Sequence, residues 1–205
     1  MDWSLAHSLN LFLAHHDGIE DPVLAYVEAA EALFLGMLLV ACVLARHDRG
    51  RGVRRTAVAA GLSAGLGLLV AKVITEFWDR ARPFVAHPHA VHLFVPHAAD
   101  ASFPSDHVTA AAAIAVAILL RGRVLWGTVL VVATLVLMYG RVALGFHYPS
   151  DVLGGAAIGA LVAAALWSPR IRGRVNDLSD FAGSLWDRAL DAVLARLPLG
   201  SSRAA

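Results

Sequence analysis

The chain has 205 residues, 58% of them hydrophobic and only 16% charged, with a mean hydropathy of +0.64. One domain is the expectation at this length, and the composition excludes an ordinary soluble globule in favour of a polytopic membrane protein. The formal net charge of +1, with no basic stripe interleaved with aromatics, argues against a nucleic-acid partner, and the single cysteine, Cys42, excludes an intramolecular disulfide.

Residues 1–18 carry acidic and histidine side chains and lack a basic start followed by an apolar run, so they do not read as a cleavable signal peptide. The first span then serves as an uncleaved insertion signal. Apolar runs at 22–45, 56–78, 105–120, 124–142 and 149–167 read as membrane spans, the third being short. Small residues such as Gly61, Gly65, Ala111, Ala112, Ala113, Gly154, Gly155 and Gly159 allow close helix approach. Beyond them, Leu178, Phe181, Leu185, Ala189, Val193 and Leu197 recur at spacings of three and four, which predicts an amphipathic helix at the inner membrane interface. The expected fold is all-α: a polytopic bundle of about five transmembrane helices with interfacial amphipathic helices. A membrane domain at 1–168 and a cytoplasmic-side amphipathic tail at 169–205 divide it.

Arginines set the orientation. Arg46, Arg49, Arg51, Arg54 and Arg55 follow the first span, Arg121 and Arg123 follow the third, and Arg170, Arg172 and Arg174 follow the fifth. These connections alternate onto one side, which the positive-inside rule makes cytoplasmic. The loop 79–104 and the turn 145–148 fall on the opposite, extracytoplasmic side.

Two strings that end on that outer side carry chemistry: Ser102-Phe103-Pro104-Ser105-Asp106-His107, and Gly140-Arg141 followed by His147-Tyr148-Pro149-Ser150-Asp151. A neutral imidazole attacks phosphorus well when its second nitrogen donates to an acceptor, and Asp151, in the first turn after Pro149, is the candidate acceptor for His147. His107 lies in the first turn of the third span, where unpaired N–H groups and Ser105 suit an anion and His107 suits proton donation to a leaving oxygen. Arg82 and Arg141 are candidate phosphate clamps, since a guanidinium fork binds two oxygens at once. Arg80 is either an outer clamp or a headgroup contact. Lys72 is a further candidate for phosphate but has a second reading, pairing with Glu76 on one helix face. Glu28 and Glu31 are costly inside a membrane and are expected to face the bundle. His87, His89, His92 and His97 crowd the outer loop, yet their spacing matches no closed zinc site, so no metal and no cofactor are expected.

Arg82-Pro83, Pro104-Ser105-Asp106-His107 and Arg141-x5-His147-x3-Asp151 resemble the three signatures of the type 2 phosphatidic acid phosphatase superfamily, which also includes soluble vanadium haloperoxidases. The runs from Arg82 to His87 and from Pro96 to His107 are similar to the bacitracin-resistance branch of bacterial undecaprenyl-diphosphate phosphatases. The resemblance implies metal-independent hydrolysis through a phosphohistidine on His147, with His107 as acid–base partner and Arg82, Ser105 and Arg141 holding the phosphate. It implies a bacterial plasma-membrane enzyme that recycles a polyprenyl lipid carrier on the outer face during cell-wall synthesis.

Three positions depart from the superfamily pattern. Thr75 stands where its first signature has lysine, with Lys72 one turn away; Gly140 stands where many members have serine; and Asp106 replaces a common glycine, as in the bacitracin-resistance branch. Other readings are a phosphatase for phosphatidic acid or phosphatidylglycerol phosphate, a phosphotransferase passing phosphate to a sugar hydroxyl, and a non-catalytic lipid-binding protein. Against the last stands the His147, Asp151, His107 and Arg141 set, since binding alone requires no nucleophile–acid pair.

Overall fold

The computed structural model describes residues 1–45 and 47–195; Arg46 and Leu197 lie outside them. Regular structure among the described residues is entirely helical: α1 Asp2–Ala14, α2 Asp17–Leu44, α3 His47–Phe77, α4 Pro83–Ala86, α5 Asp106–Leu120, α6 Val124–Ala143, α7 Pro149–Leu166 and α8 Pro169–Leu194. Four helices (α2, α3, α6 and α7) are long and apolar enough to cross a membrane, and α5 adds a shorter apolar helix of 15 residues.

The short helix is the hub. α5 packs against α7, α3, α6 and α2, and most of its length is buried, from Val108 through Ile118. Its partner α7 comes close because of two glycines. A Cβ at Gly155 would stand 2.6 Å from the Ser105 carbonyl oxygen, and one at Gly159 would stand 2.8 Å from the Ala113 nitrogen. Small residues at such a crossing bring backbones together in lipid, where association depends on packing rather than on water expulsion. The outward faces of α2, α3 and α6 carry Leu33, Leu39, Leu69, Val73, Leu125, Val132 and Leu135, all exposed, as a lipid-facing belt requires.

The ends differ from the sequence expectation. The second span was expected at 56–78, but α3 begins at His47, so Arg49 to Arg55 are helical rather than loop. No proline interrupts this stretch, and α8 offers it carboxylates: Arg54 donates to Asp187 at 2.8 and 3.3 Å, and Arg55 forks onto Asp180. α8 starts directly after α7, at Pro169 in its first turn, and leaves Leu178, Phe181, Leu185, Trp186 and Val193 exposed opposite those pairs. The N-terminal segment, read from the sequence only as lacking signal-peptide character, forms α1. Asn10 fixes it to the loop before α5 and the end of α6 by donating to the carbonyls of His92 (2.9 Å) and Ala143 (2.8 Å) while accepting from the His92 N–H (2.8 Å).

Candidate active site

Four pieces of chain converge at the N-terminal ends of α5 and α7: the segment leading into α4, the loop before α5, the end of α6 and the turn 144–148. Gly145 makes that turn possible, at φ +80°, a backbone region costly for any residue with a Cβ. The turn delivers His147 into the bundle, where it is 1% exposed.

Its two nitrogens face different groups. Nδ1 lies 2.8 Å from the Ser102 carbonyl oxygen, which only accepts, so Nδ1 carries the proton. Nε2 lies 3.2 Å from Arg82 Nη1 and 3.1 Å from Arg141 Nη2, which only donate, so Nε2 presents its lone pair to both guanidinium groups. Burial first, then the positive fields of Arg141 and Arg82, holds this imidazole well below the usual histidine range. A neutral, oriented imidazole thus points its lone pair at two phosphate-type donors.

Asp151 is close but in a different role from the expected one. Its Oδ2 stands 3.9 Å from His147 Nδ1 and accepts instead from Ser102 Oγ (2.6 Å) and the Tyr148 N–H (2.8 Å). The second of these caps the first turn of α7 and fixes the carboxylate, which is fully buried. Ser102 therefore links Asp151 to His147, by hydroxyl on one side and carbonyl on the other.

Arg82 is buried, donates from Nε to Asp100 at 2.8 Å and from Nη1 to the Phe146 carbonyl at 3.0 Å. Arg141 Nη2 also donates to His97 Nε2 at 3.1 Å, and its guanidinium carbon stands 4.9 Å from the Phe146 ring centroid. His97 in turn donates from Nδ1 to the Ala98 carbonyl, and burial together with Arg82 and Arg141 lowers its pKa. Arg141 Nε and Ser105 Oγ are buried without a hydrogen-bond partner. A guanidinium with a free buried N–H, and a buried hydroxyl at the start of α5, are donors of the kind a tetrahedral oxyanion takes.

His107 sits in the first turn of α5, its side chain 32% exposed, with Nε2 3.5 Å from Glu31 Oε2. It lies within electrostatic reach of Arg141, His97 and Arg82. With Glu31 and Asp106 it lines a cavity of about 410 Å³ walled by Ala30, Phe34, Leu35, Leu68 and Leu137. Glu28 and Glu31, expected to face the bundle, are both exposed on α2, with only the Glu31 carboxylate near His107.

Arg80 joins the site at Asp151 rather than at His147, while Lys72 pairs apart from it. Arg80 donates to Asp151, Ser150 and Asp2, and stacks 3.9 Å over Tyr148. Lys72 pairs with Glu76 at 3.2 Å, both well exposed. Thr75 reaches the Phe103 carbonyl at 3.4 Å, joining α3 to the loop before α5. The histidines between α4 and α5 go separate ways: His87 stacks on Trp3, His92 meets Phe94, and His97 joins Arg141. Sequence reasoning gave no role to Ser102, Asp100 or Asp2. A Ser-Phe-Pro-Ser string invites attention to its second serine, and nothing local marks the first.

Comparison with known proteins points the same way. Residues 56–172 match the family model described as the PAP2 superfamily. The undecaprenyl-diphosphatase BcrC of Bacillus subtilis is 37% identical over 150 residues, covering 73% of this chain and 75% of BcrC. Among solved structures, Aquifex aeolicus LpxE superposes with a TM-score of 0.62 at 21% identity, over 80% of this chain and 93% of that one. A phosphatidylglycerolphosphate phosphatase of Bacillus subtilis gives a TM-score of 0.59 at 22% identity, over 80% and 83% of the two chains. Sequence match over more than half the chain, and a shared fold, make this multi-pass membrane protein a member of the PAP2 phosphatase superfamily.

Proposed function

We propose that the protein hydrolyses a polyprenyl diphosphate, undecaprenyl diphosphate in the first instance, to the monophosphate and inorganic phosphate at the outer face of a bacterial plasma membrane. The observation that carries the reading is the His147 ring, with Nδ1 held by a carbonyl and Nε2 facing Arg82 and Arg141. In this reading His147 attacks the distal phosphorus and the lipid monophosphate departs. Water, activated by His107, then cleaves the phosphohistidine. Arg82, Arg141 and Ser105 take the charge that builds on the transferring phosphoryl oxygens. The likeness to BcrC supports the diphosphate, and the apolar cavity beside His107 supports a lipid tail.

The arginine asymmetry, together with α8 docked on Arg54 and Arg55, supports an inner face at that end and a catalytic face opposite. The test is phosphate release from purified protein in detergent with chelator present, comparing undecaprenyl diphosphate with phosphatidic acid and phosphatidylglycerol phosphate. Fastest turnover of the diphosphate supports the reading; turnover of the phosphoglycerides alone overturns the substrate.

A further inference from the structure

The carboxylate of Asp2 belongs to α1, outside residues 56–172 that match the family model. It is nonetheless built into the catalytic end of α7. Asp2 Oδ1 accepts from the Ser150 N–H at 3.0 Å, and Oδ2 accepts from Ser150 Oγ at 2.5 Å and Arg80 Nη2 at 2.6 Å. Arg80 passes the contact on, donating from Nη1 to Asp151 Oδ1 at 2.7 Å. Asp151 holds Ser102, and the Ser102 carbonyl holds His147. One chain of bonds thus runs from the amino-terminal helix to the proposed nucleophile.

We infer that Asp2 and Arg80 are positioning residues for His147, acting through Asp151, and that α1 is a strap that completes the active site. The inference rests on His147 as nucleophile. Two features make this more than a surface ion pair. Arg80 lies over the Tyr148 ring, and Asn10, two turns further along α1, holds Ala143 at the other end of the same catalytic turn. The turn from 143 to 150 is therefore gripped at both ends by one helix.

Charge supplies the reason for such a device. Asp2, Arg80 and Asp151 together carry one net negative charge. When Nε2 attacks phosphorus, the imidazole becomes cationic, its proton staying on Nδ1 and donated to the Ser102 carbonyl. The P–O bond to the lipid monophosphate breaks, and that product takes the bonding pair. A net negative cluster behind the ring stabilises the cation that forms. Without Asp2 the remaining pair is neutral, and Arg80 loses the partner that aims it. Asp2 is suited to the role: partial burial opposes its charge, yet the Ser150 and Arg80 bonds bring its carboxyl below the usual range. It also sits at the amino end of α7, where the helix dipole favours an anion.

The experiment is a double-mutant cycle on the full-length protein in detergent, with undecaprenyl diphosphate as the probe. Asp2→Asn is expected to lower kcat about 10-fold with KM and melting temperature nearly unchanged. Asp2→Glu is expected to recover most of that loss. In an Asp151→Asn background, Asp2→Asn is expected to cost nothing further, as groups acting in series do. His147→Ala is run beside them. Full kcat in Asp2→Asn with none in His147→Ala overturns the relay and leaves the nucleophile standing. An Asp2→Asn loss that is undiminished in the Asp151→Asn background also overturns it, since Asp2 then acts by another route. Full kcat in His147→Ala removes the functional reading and the relay with it.

Discussion

The Nδ1 of His147 bonds to the Ser102 carbonyl at 2.8 Å, while the nearer oxygen of Asp151 stands 3.9 Å away and bonds to the Ser102 hydroxyl. A backbone carbonyl, which has no charge to lose, thus fixes the tautomer. The carboxylate acts from behind a serine.

Ser102→Ala keeps that carbonyl and removes the hydroxyl, leaving a buried carboxylate short of one donor. A lost bond to a charged group costs about 1.5–3 kcal/mol, so kcat is expected to fall about 10- to 100-fold with little change in KM. Steady-state kinetics check this. Unchanged kcat would show that the hydroxyl is idle.

The pH profile follows from the state of His147. Burial, Arg141 and Arg82 depress its pKa, so the neutral form persists on the acid side of the ordinary value near 6.5. Activity that needs the neutral ring is full above the depressed pKa and lost as pH falls through it. The acid limb of kcat/KM that belongs to His147 is therefore expected below about pH 6.5. Replacing Arg82 with glutamine removes one positive neighbour and should move the His147 titration upward. Ring NMR of labelled histidine reads both. A His147 titration above the ordinary value in the unmodified protein would contradict the geometry.

Much of the bundle was legible in the sequence, because the length of an apolar run follows directly from the thickness of the bilayer. The proximity of Arg82 and Arg141 to His147 had local signatures as well. What escaped was set by tertiary contact. α1 has no apolar run or strong amphipathic stripe, and its anchoring residue, Asn10, acquires meaning only against Ala143 and His92 far along the chain. Arg80 could be read as clamp or headgroup contact until Asp2 and Asp151 were seen on either side of it. The start of α3 was missed because charged residues do not mark a membrane span, although Arg54 and Arg55 are sound helix formers with partners on α8.

The α5–α7 contact makes a stability prediction. Gly159 faces the backbone of Thr109 and Ala113, which cannot step aside as a flexible side chain can. Gly159→Leu is expected to destabilise the bundle by about 2–3 kcal/mol or more, with a matching fall in detergent melting temperature. Gly61→Leu, where a Cβ meets nothing within 4 Å, is expected to be nearly neutral. Equal losses at the two sites would contradict the packing.

Topology is testable in a Cys42→Ala background. Ala98, exposed in the loop between α4 and α5, and Gly173, in the first turns of α8, are each open to a cysteine. In intact cells an impermeant thiol reagent is expected to label Ala98→Cys and to spare Gly173→Cys. Labelling of Gly173→Cys alone would invert the orientation.

Trapping of the phosphoenzyme by an alkaline denaturing quench, which spares the acid-labile P–N bond of a phosphohistidine, with the terminal phosphate of undecaprenyl diphosphate labelled, tests the central claim most directly. His147→Ala should yield neither labelled protein nor turnover. His107→Ala should still take up label from this good leaving group and then hold it, because the attacking water lacks its base. Substantial turnover by His147→Ala, or label retained on that variant, would contradict the assignment of His147 as the nucleophile.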